Sequence, residues 1–182
     1  MSTSSVDGHQ LRMVMRRFAS PVTVVTCAAR DEPRGITIGS FTSVSLDPPL
    51  VSFNVHQEAN SHDIIVDVGR FVVHLLTDKQ AHLANHFALP DLTPTQQFDP
   101  VDVEWRDGLP HLRGVLASLV CTLHASLPAS DHSIFVGQVQ EIQAQGMQQD
   151  PVLYFNRSYR SVGSEVKSMA LTPVNSRSSA SS

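Results

Sequence analysis

Cysteine is scarce in this chain: Cys27 and Cys121 are the only two in 182 residues, far apart and each in apolar, strand-like surroundings. So sparse a supply excludes a disulfide-stapled scaffold. Two buried structural thiols are expected, with a single bridge as an unsupported alternative. Long apolar runs are missing too, and none approaches the ~20 residues of a membrane span. The N-terminus lacks the charged-then-apolar order of a secretory leader. Arg12, Arg16 and Arg17, with Ser2, Thr3, Ser4 and Ser5, faintly resemble a transit peptide. Asp7 and the fit of residues 9–18 to a domain helix argue instead for a cytoplasmic protein. A surplus of positive charge is also absent: 13 Lys and Arg stand against 17 Asp and Glu, a formal charge of -4. Nucleic-acid binding therefore has no electrostatic footprint. Any anionic ligand must be met by local donors.

Several chemical signatures are missing as well. There is no G-x-G-x-x-G and no strand–glycine loop–helix unit, which argues against a dinucleotide fold. No Ser-His-Asp order and no paired carboxylates point to hydrolysis. His82 and His86 are spaced i, i+4 on an expected helix, but Leu83 stands where H-E-x-x-H needs its Glu, and no third ligand is evident. No metal site is expected.

What is present is a globular composition, 41% apolar and 16% charged, of a length suited to one domain with a sizeable core. Leu11, Val14, Met15 and Phe18 follow the i, i+3, i+4, i+7 spacing of a short helix that ends near Ser20-Pro21. Residues 22–29 (VTVVTCAA) are β-branched and apolar on both faces, as in a core strand. Residues 30–35 read as a polar turn, and residues 50–55 (LVSFNV) and 71–76 (FVVHLL) as strands. Ser61 is a candidate N-cap for a helix through Ile64, Ile65 and Val68 that Gly69 stops, and Asp78 opens another through Leu83, Ala84 and Phe87. Residues 88–100, with three prolines, read as a surface loop. Val115, Ala117, Leu119, Cys121, Leu123, Ala125 and Leu127 share one face, marking a long, half-buried antiparallel strand. A turn at 128–131 leads to its partner over 133–142.

Many strands and few helices predict a mainly β protein, an antiparallel barrel closed or nearly so, decorated by a few short helices. The expected boundaries are an N-terminal extension at 1–8, one domain at 9–163 and a disordered serine-rich tail at 164–182.

The segment ITIGSFTSVS, residues 36–45, holds the densest set of candidate ligand groups. Thr37, Ser40, Thr42, Ser43 and Ser45 carry hydroxyls beside Gly39, interleaved with Ile36, Ile38, Phe41 and Val44. Such a stretch can present donors to phosphate or hydroxyl oxygens and an apolar wall to a flat ring. It can equally be a strand and turn whose hydroxyls satisfy local backbone groups. His132 in Ser130-Asp131-His132 is either a hairpin-corner residue bonded to neighbouring backbone or a ligand contact. Arg157, Tyr159 and Arg160 either meet a ligand or form a solvated strand end. Trp105 and His111 read as structural.

Taken together, FASPVTVVT at 18–26, GITIGSFTSVSLDPPLVSFNV at 35–55, RFVVHLL at 70–76 and HLANHFA at 82–88 resemble the short-chain flavin reductases. GLPHLRGVLASLVCTLHA at 108–125, SDHSIFVGQV at 130–139 and PVLYFNRSYR at 151–160 extend the resemblance over nearly the whole domain. Those proteins are the NAD(P)H-using partners of two-component flavin monooxygenases. The resemblance implies an FMN-binding split barrel, a homodimer with flavin near the subunit interface, and a diffusing reduced flavin for a separate monooxygenase. FMN or FAD would be reduced by NADH or NADPH, with no side-chain acid or base needed. The flavin-binding positions it implies are Thr37, Ile38, Gly39, Ser40, Ser43, Val44, Asn54, Ser61 and His86. His132, Arg157 and Tyr159 would serve the nicotinamide. Ser130 departs from the family, which has Gly before Asp-His. A split-barrel oxidoreductase with tightly held FMN and its own small substrate, or a flavin binder without turnover, would fit the same residues.

Overall fold

The computed structural model of the chain describes residues 6–30, 32–144, 146 and 148–166. Along the chain run α1 (Gly8–Met15), β1 (Ser20–Pro21), β2 (Thr23–Ala29), β3 (Glu32–Ile38), β4 (Thr42–Leu46) and β5 (Pro49–His56). Then come α2 (His62–Val68), β6 (Arg70–Leu75), α3 (Ala81–Phe87), α4 (Pro94–Phe98), β7 (Val103–Arg106) and β8 (Leu109–Leu112). The chain continues through β9 (Ala117–Ala129), β10 (His132–Ala144), β11 (Leu153–Phe155) and β12 (Ser158–Arg160).

Seven strands form one antiparallel sheet in the order β3-β2-β6-β9-β10-β5-β4. Its edge strands β3 and β4 are separated in sequence by Gly39, Ser40 and Phe41 alone. A flat sheet of this width would hold those edges about 29 Å apart at ~4.8 Å per strand. Four Cα steps reach only about 14 Å. The sheet must therefore curl until its edges approach. Ser40 secures the closure, its Oγ accepting the backbone N–H of Asn54 on β5 at 2.9 Å. The expected mainly β barrel with a few short helices is the architecture found.

The barrel interior holds Val25, Cys27, Val51, Phe53, Phe71, Val73, Cys121 and Phe135. Phe53 meets Phe71 edge-on at 5.3 Å. Gly137 on β10 has to lack a side chain, because a Cβ there would lie 2.5 Å from the Phe71 ring. A second apolar cluster, with Val22, Val24, Ala84, Phe87 and Phe98, joins the outer face of β2 to α3 and α4. Burial on both faces is why β2 is apolar throughout. Cys27 and Cys121 are free buried thiols, each pushed up to about 12 by burial, so the alternative of a bridge is dropped.

One polar strip lies on the outer face of the sheet, where β8 covers β2 and β6. Thr26 Oγ donates to the carbonyl of Pro110 at 2.6 Å, so it accepts at 3.0 Å from Nε2 of the fully buried His74. His74 Nδ1 then accepts from the Ser118 hydroxyl at 3.0 Å. Burial pushes the imidazole down to about 3, and it is neutral. No donor or acceptor of the chain Ser118–His74–Thr26–Pro110 is wasted.

Several expectations are corrected. Residues 36–45 hold more than a strand and a turn: they finish β3, turn, and begin β4 on the opposite edge. The turn at 30–35 is much tighter, since Ala29 already pairs with Glu32. The loop at 88–100 contains α4, because Thr93 accepts from the Gln96 N–H while Gln96 returns a bond to Thr93, and Pro94 opens the first turn. The closing aromatic strand is a hairpin, turned by Asn156 and Arg157 at φ 49° and 66°. α1 stops at Met15, short of the end expected near Ser20-Pro21, so Phe18 lies beyond it; Leu11, Val14 and Phe18 are all more than half exposed in one chain. The tail expected at 164–182 has no regular structure at 164–166, and the rest lies outside the described residues.

Candidate functional site

Where β3 ends, its backbone and side chains wall three adjoining clefts. The first, of about 580 Å³, brings Thr37, Ile38, Gly39, Ser40 and Asn54 together with His132. The second, of about 470 Å³, contains Ser61 and Arg34 and shares Thr37 and His56 with the first. The third, of about 560 Å³, sets Arg157 and Tyr159 beside Thr37, Ile38 and Gly39. Ser43, Val44 and His86 line none of these. Ser43 and Val44 lie exposed on β4, and His86 Nε2 donates to the carbonyl of Gln97 at 2.8 Å.

Each hydroxyl is committed differently. Thr37 donates to the carbonyl of Ala84 at 2.7 Å, so toward a ligand it offers an acceptor. Ser40 already accepts from Asn54 and keeps its own O–H to donate. Ser61 does not cap α2 through its side chain. Its backbone is already helical (φ -85°, ψ -16°), whereas a capping residue needs extended geometry to aim its oxygen at the next turn. Ser61 is 3% exposed and its hydroxyl has no partner at all.

At the opposite wall of the first cleft, Asp131 lies between two imidazoles. Its Oδ1 accepts from His132 Nδ1 at 2.8 Å, and His56 Nε2 lies 3.9 Å from Oδ2. The rings meet edge-on at 5.1 Å. The hydrogen bond from His132 holds the Asp131 carboxyl below its usual range. The bond from Nδ1 leaves Nε2 turned away from Asp131, and in the Nδ1–H tautomer Nε2 is an acceptor. Ser130 takes φ 59°, the left-handed conformation that the family's Gly adopts freely, at a strain of about 1–2 kcal/mol. His56 was not among the expected site residues. Only the β5–β10 register, which pairs His56 with His132, reveals it.

Asp63, His62 and Ser133 have the connectivity of a hydrolytic triad, at 2.8 and 2.9 Å. Ser133 is buried and lines none of the three clefts, so the relay ties α2 to β10 rather than attacking a substrate. Gln97 is a second unforeseen residue. Its side-chain amide accepts from the N–H of Gly35 and donates to the Gly35 carbonyl, at 2.9 and 2.8 Å. Gly35 itself leaves room for the Phe87 ring, which would lie 2.5 Å from any Cβ there. Among the described residues, no group of three His, Cys, Asp or Glu side chains could hold a metal ion.

The site thus offers a ring-sized cleft of amide and hydroxyl groups, an adjoining cleft with an orphaned buried hydroxyl, and arginines at its margins. Those donors fit a flat heterocycle carrying an anionic chain. The sequence profile described as "Flavin reductase like domain" matches residues 15–163. The chain belongs to the flavin reductase family. A Rhodococcus relative, "NADH-dependent flavin reductase", is 38% identical over 155 residues, 84% of this chain and 85% of that one. The reductase component of 4-hydroxyphenylacetate 3-monooxygenase from Thermus thermophilus is 38% identical over 146 residues, 80% of this chain and 91% of that one. The NADH:FAD oxidoreductase SgcE6 of Streptomyces globisporus C-1027, solved in complex with NAD and FAD fragments, superposes with a TM-score of 0.81 at 35% identity. That match covers 91% of this chain and all of the other.

Proposed function

We propose that the protein is an NADH-dependent flavin reductase that takes up FMN or FAD, reduces it and releases it to a separate monooxygenase. The observation that carries this reading is the single cleft that brings Thr37–Ser40 together with Asn54 on β5 and His132 on β10. When both partners are bound, a hydride passes from nicotinamide C4 to flavin N5, and the two cofactors supply that chemistry. The chain's task is alignment. Thr37, Ile38 and Gly39 present the edge that orients the flavin ring, Ser40 and Asn54 meet its polar chain, and Ser61 donates to its phosphate. His132, held by Asp131, accepts from the nicotinamide carboxamide, while Arg157 and Tyr159 flank the donor from the adjoining cleft. Ser43, Val44 and His86 are left out of the proposed set for a single chain. No side chain has to act as an acid, base or nucleophile.

Two copies of the chain form the working unit, because one chain leaves Leu11 and Val14 of α1 and the following Phe18 in water, and β4 leaves Leu46 88% exposed. The proposed place of work is the cytoplasm. Among the described residues no helix is long and apolar enough to cross a membrane. The decisive experiment is NADH oxidation with added FMN or FAD. Many turnovers per chain are expected, with flavin lost on gel filtration and an eluting mass twice the 19.9 kDa of one chain. Oxidation that stops after one equivalent, or flavin that stays bound through the column, would overturn release of reduced flavin as the function. A monomeric, fully active protein would overturn the pairing.

A further inference from the structure

Ser61 is not the only orphan in its cleft. Arg34, on β3, lines the same cleft, and its Nε–H is buried without a partner among the described residues. The one hydrogen bond of its side chain runs from Nη1 to the carbonyl of the adjacent Pro33, at 3.2 Å. Buried donors left unpaired are rare in folded proteins because each forfeits its hydration and receives nothing in exchange. Two of them facing one cleft mark a place where an acceptor-rich group belongs.

We infer that Arg34 and Ser61 together receive the phosphoryl group of the flavin, and that Arg34 makes the protein distinguish phosphorylated flavins from riboflavin. The inference rests on the flavin reading above and adds to it a charged residue that lies outside the hydroxyl-rich segment 36–45. A guanidinium whose Nε–H is unpaired and a hydroxyl without a partner call for an anion with several oxygens. Thr37 lines both this cleft and the ring-sized one beside it, so the anion would sit at the far end of a chain leading from the ring. Glu58, Asp91 and His56 also line the cleft. Glu58 and Asp91 are exposed, where water screens them, whereas the two orphaned donor atoms are buried. The cleft's volume of about 470 Å³ exceeds what one phosphoryl group fills, so FAD is admitted as well as FMN.

The test is calorimetric titration of the full chain with riboflavin, FMN, FAD and NADH, for wild type, Arg34→Met, Arg34→Lys and Ser61→Ala. Wild type should bind FMN at least about tenfold more tightly than riboflavin, the factor that one charge-assisted contact supplies. Arg34→Met should raise the Kd for FMN and FAD about tenfold or more and leave riboflavin within about twofold, with Ser61→Ala acting in the same sense. Arg34→Lys should fall between. In the absence of flavin, Arg34→Met should melt at the same temperature as wild type or higher, since an unpaired buried donor has been removed. Equal losses for FMN and riboflavin, or a loss confined to NADH, would overturn the inference. If Arg34→Met does not fold, Arg34→Lys decides by the same comparison between FMN and riboflavin. A wild-type chain that binds no flavin at all would instead defeat the proposed function itself.

Discussion

His132→Ala is expected to slow hydride transfer on the order of 10²-fold and to raise the KM for NADH, with flavin affinity little changed. The size follows from alignment, because a donor ring misplaced by about 1 Å forfeits a rate of that order. The selectivity follows from position. His132 faces the cleft from the β9–β10 corner, on the wall opposite β3. Its Nδ1 is occupied by Asp131, so the alanine variant removes the Nε2 acceptor without uncovering a core. Stopped-flow reduction of bound flavin separates the two effects. A variant with wild-type hydride-transfer rate and wild-type KM would show that the corner is structural and that the nicotinamide lies elsewhere.

His74→Leu is expected to destabilise the fold by about 3–5 kcal/mol, the largest effect anticipated for any single side chain here. Leucine cannot pair with Ser118 or accept the place of Nε2–H against Thr26, and both hydroxyls are buried. The same residue predicts an acid-sensitive fold. In the unfolded chain His74 titrates near 6.5, but in the folded barrel burial holds it down to about 3. Between those values the unfolded state binds the extra proton. Stability is therefore complete above pH 6.5 and declines as the pH falls toward 3, by up to about 1.4 kcal/mol per unit. His111, also lowered by burial, acts in the same sense. Urea denaturation across that range should show a shallower acid slope for His74→Leu than for wild type. Equal slopes would mean that other groups carry the acid sensitivity.

Much of the fold was legible because its periodicities are strong. The two-faced burial of β2 and the alternation of β9 follow directly from apolar spacing, and Gly69 does end α2 in the left-handed conformation, at φ 66°. The Thr93-Pro94-Thr95-Gln96 signature of α4 was also present, but three nearby prolines made the segment look like loop. Register was harder. The β9–β10 ladder slips at Val136/Gly137 and Val139/Glu141, and no local pattern announces where a bulge will fall. For α1, the spacing of Leu11, Val14 and Phe18 defines an apolar face without saying what it meets.

The candidate site divides along the same line. Sequence alone determined that the chain is mainly β, that residues 36–45 carry an unusual density of hydroxyls around Gly39, and that Asp131-His132 stands at a hairpin corner. Those are properties of neighbours along the chain, where residue type and spacing decide the outcome. Only the tertiary structure decided which hydroxyls remain free. Thr37 is tied to Ala84 and Ser40 to Asn54, while Ser61 is left unpaired beside Arg34. It also decided that His56 joins Asp131 and that His86 is taken up by Gln97. Hydrogen-bond partners are chosen by distance in space, and the fold brings together residues separated by up to 84 positions that no short-range pattern links.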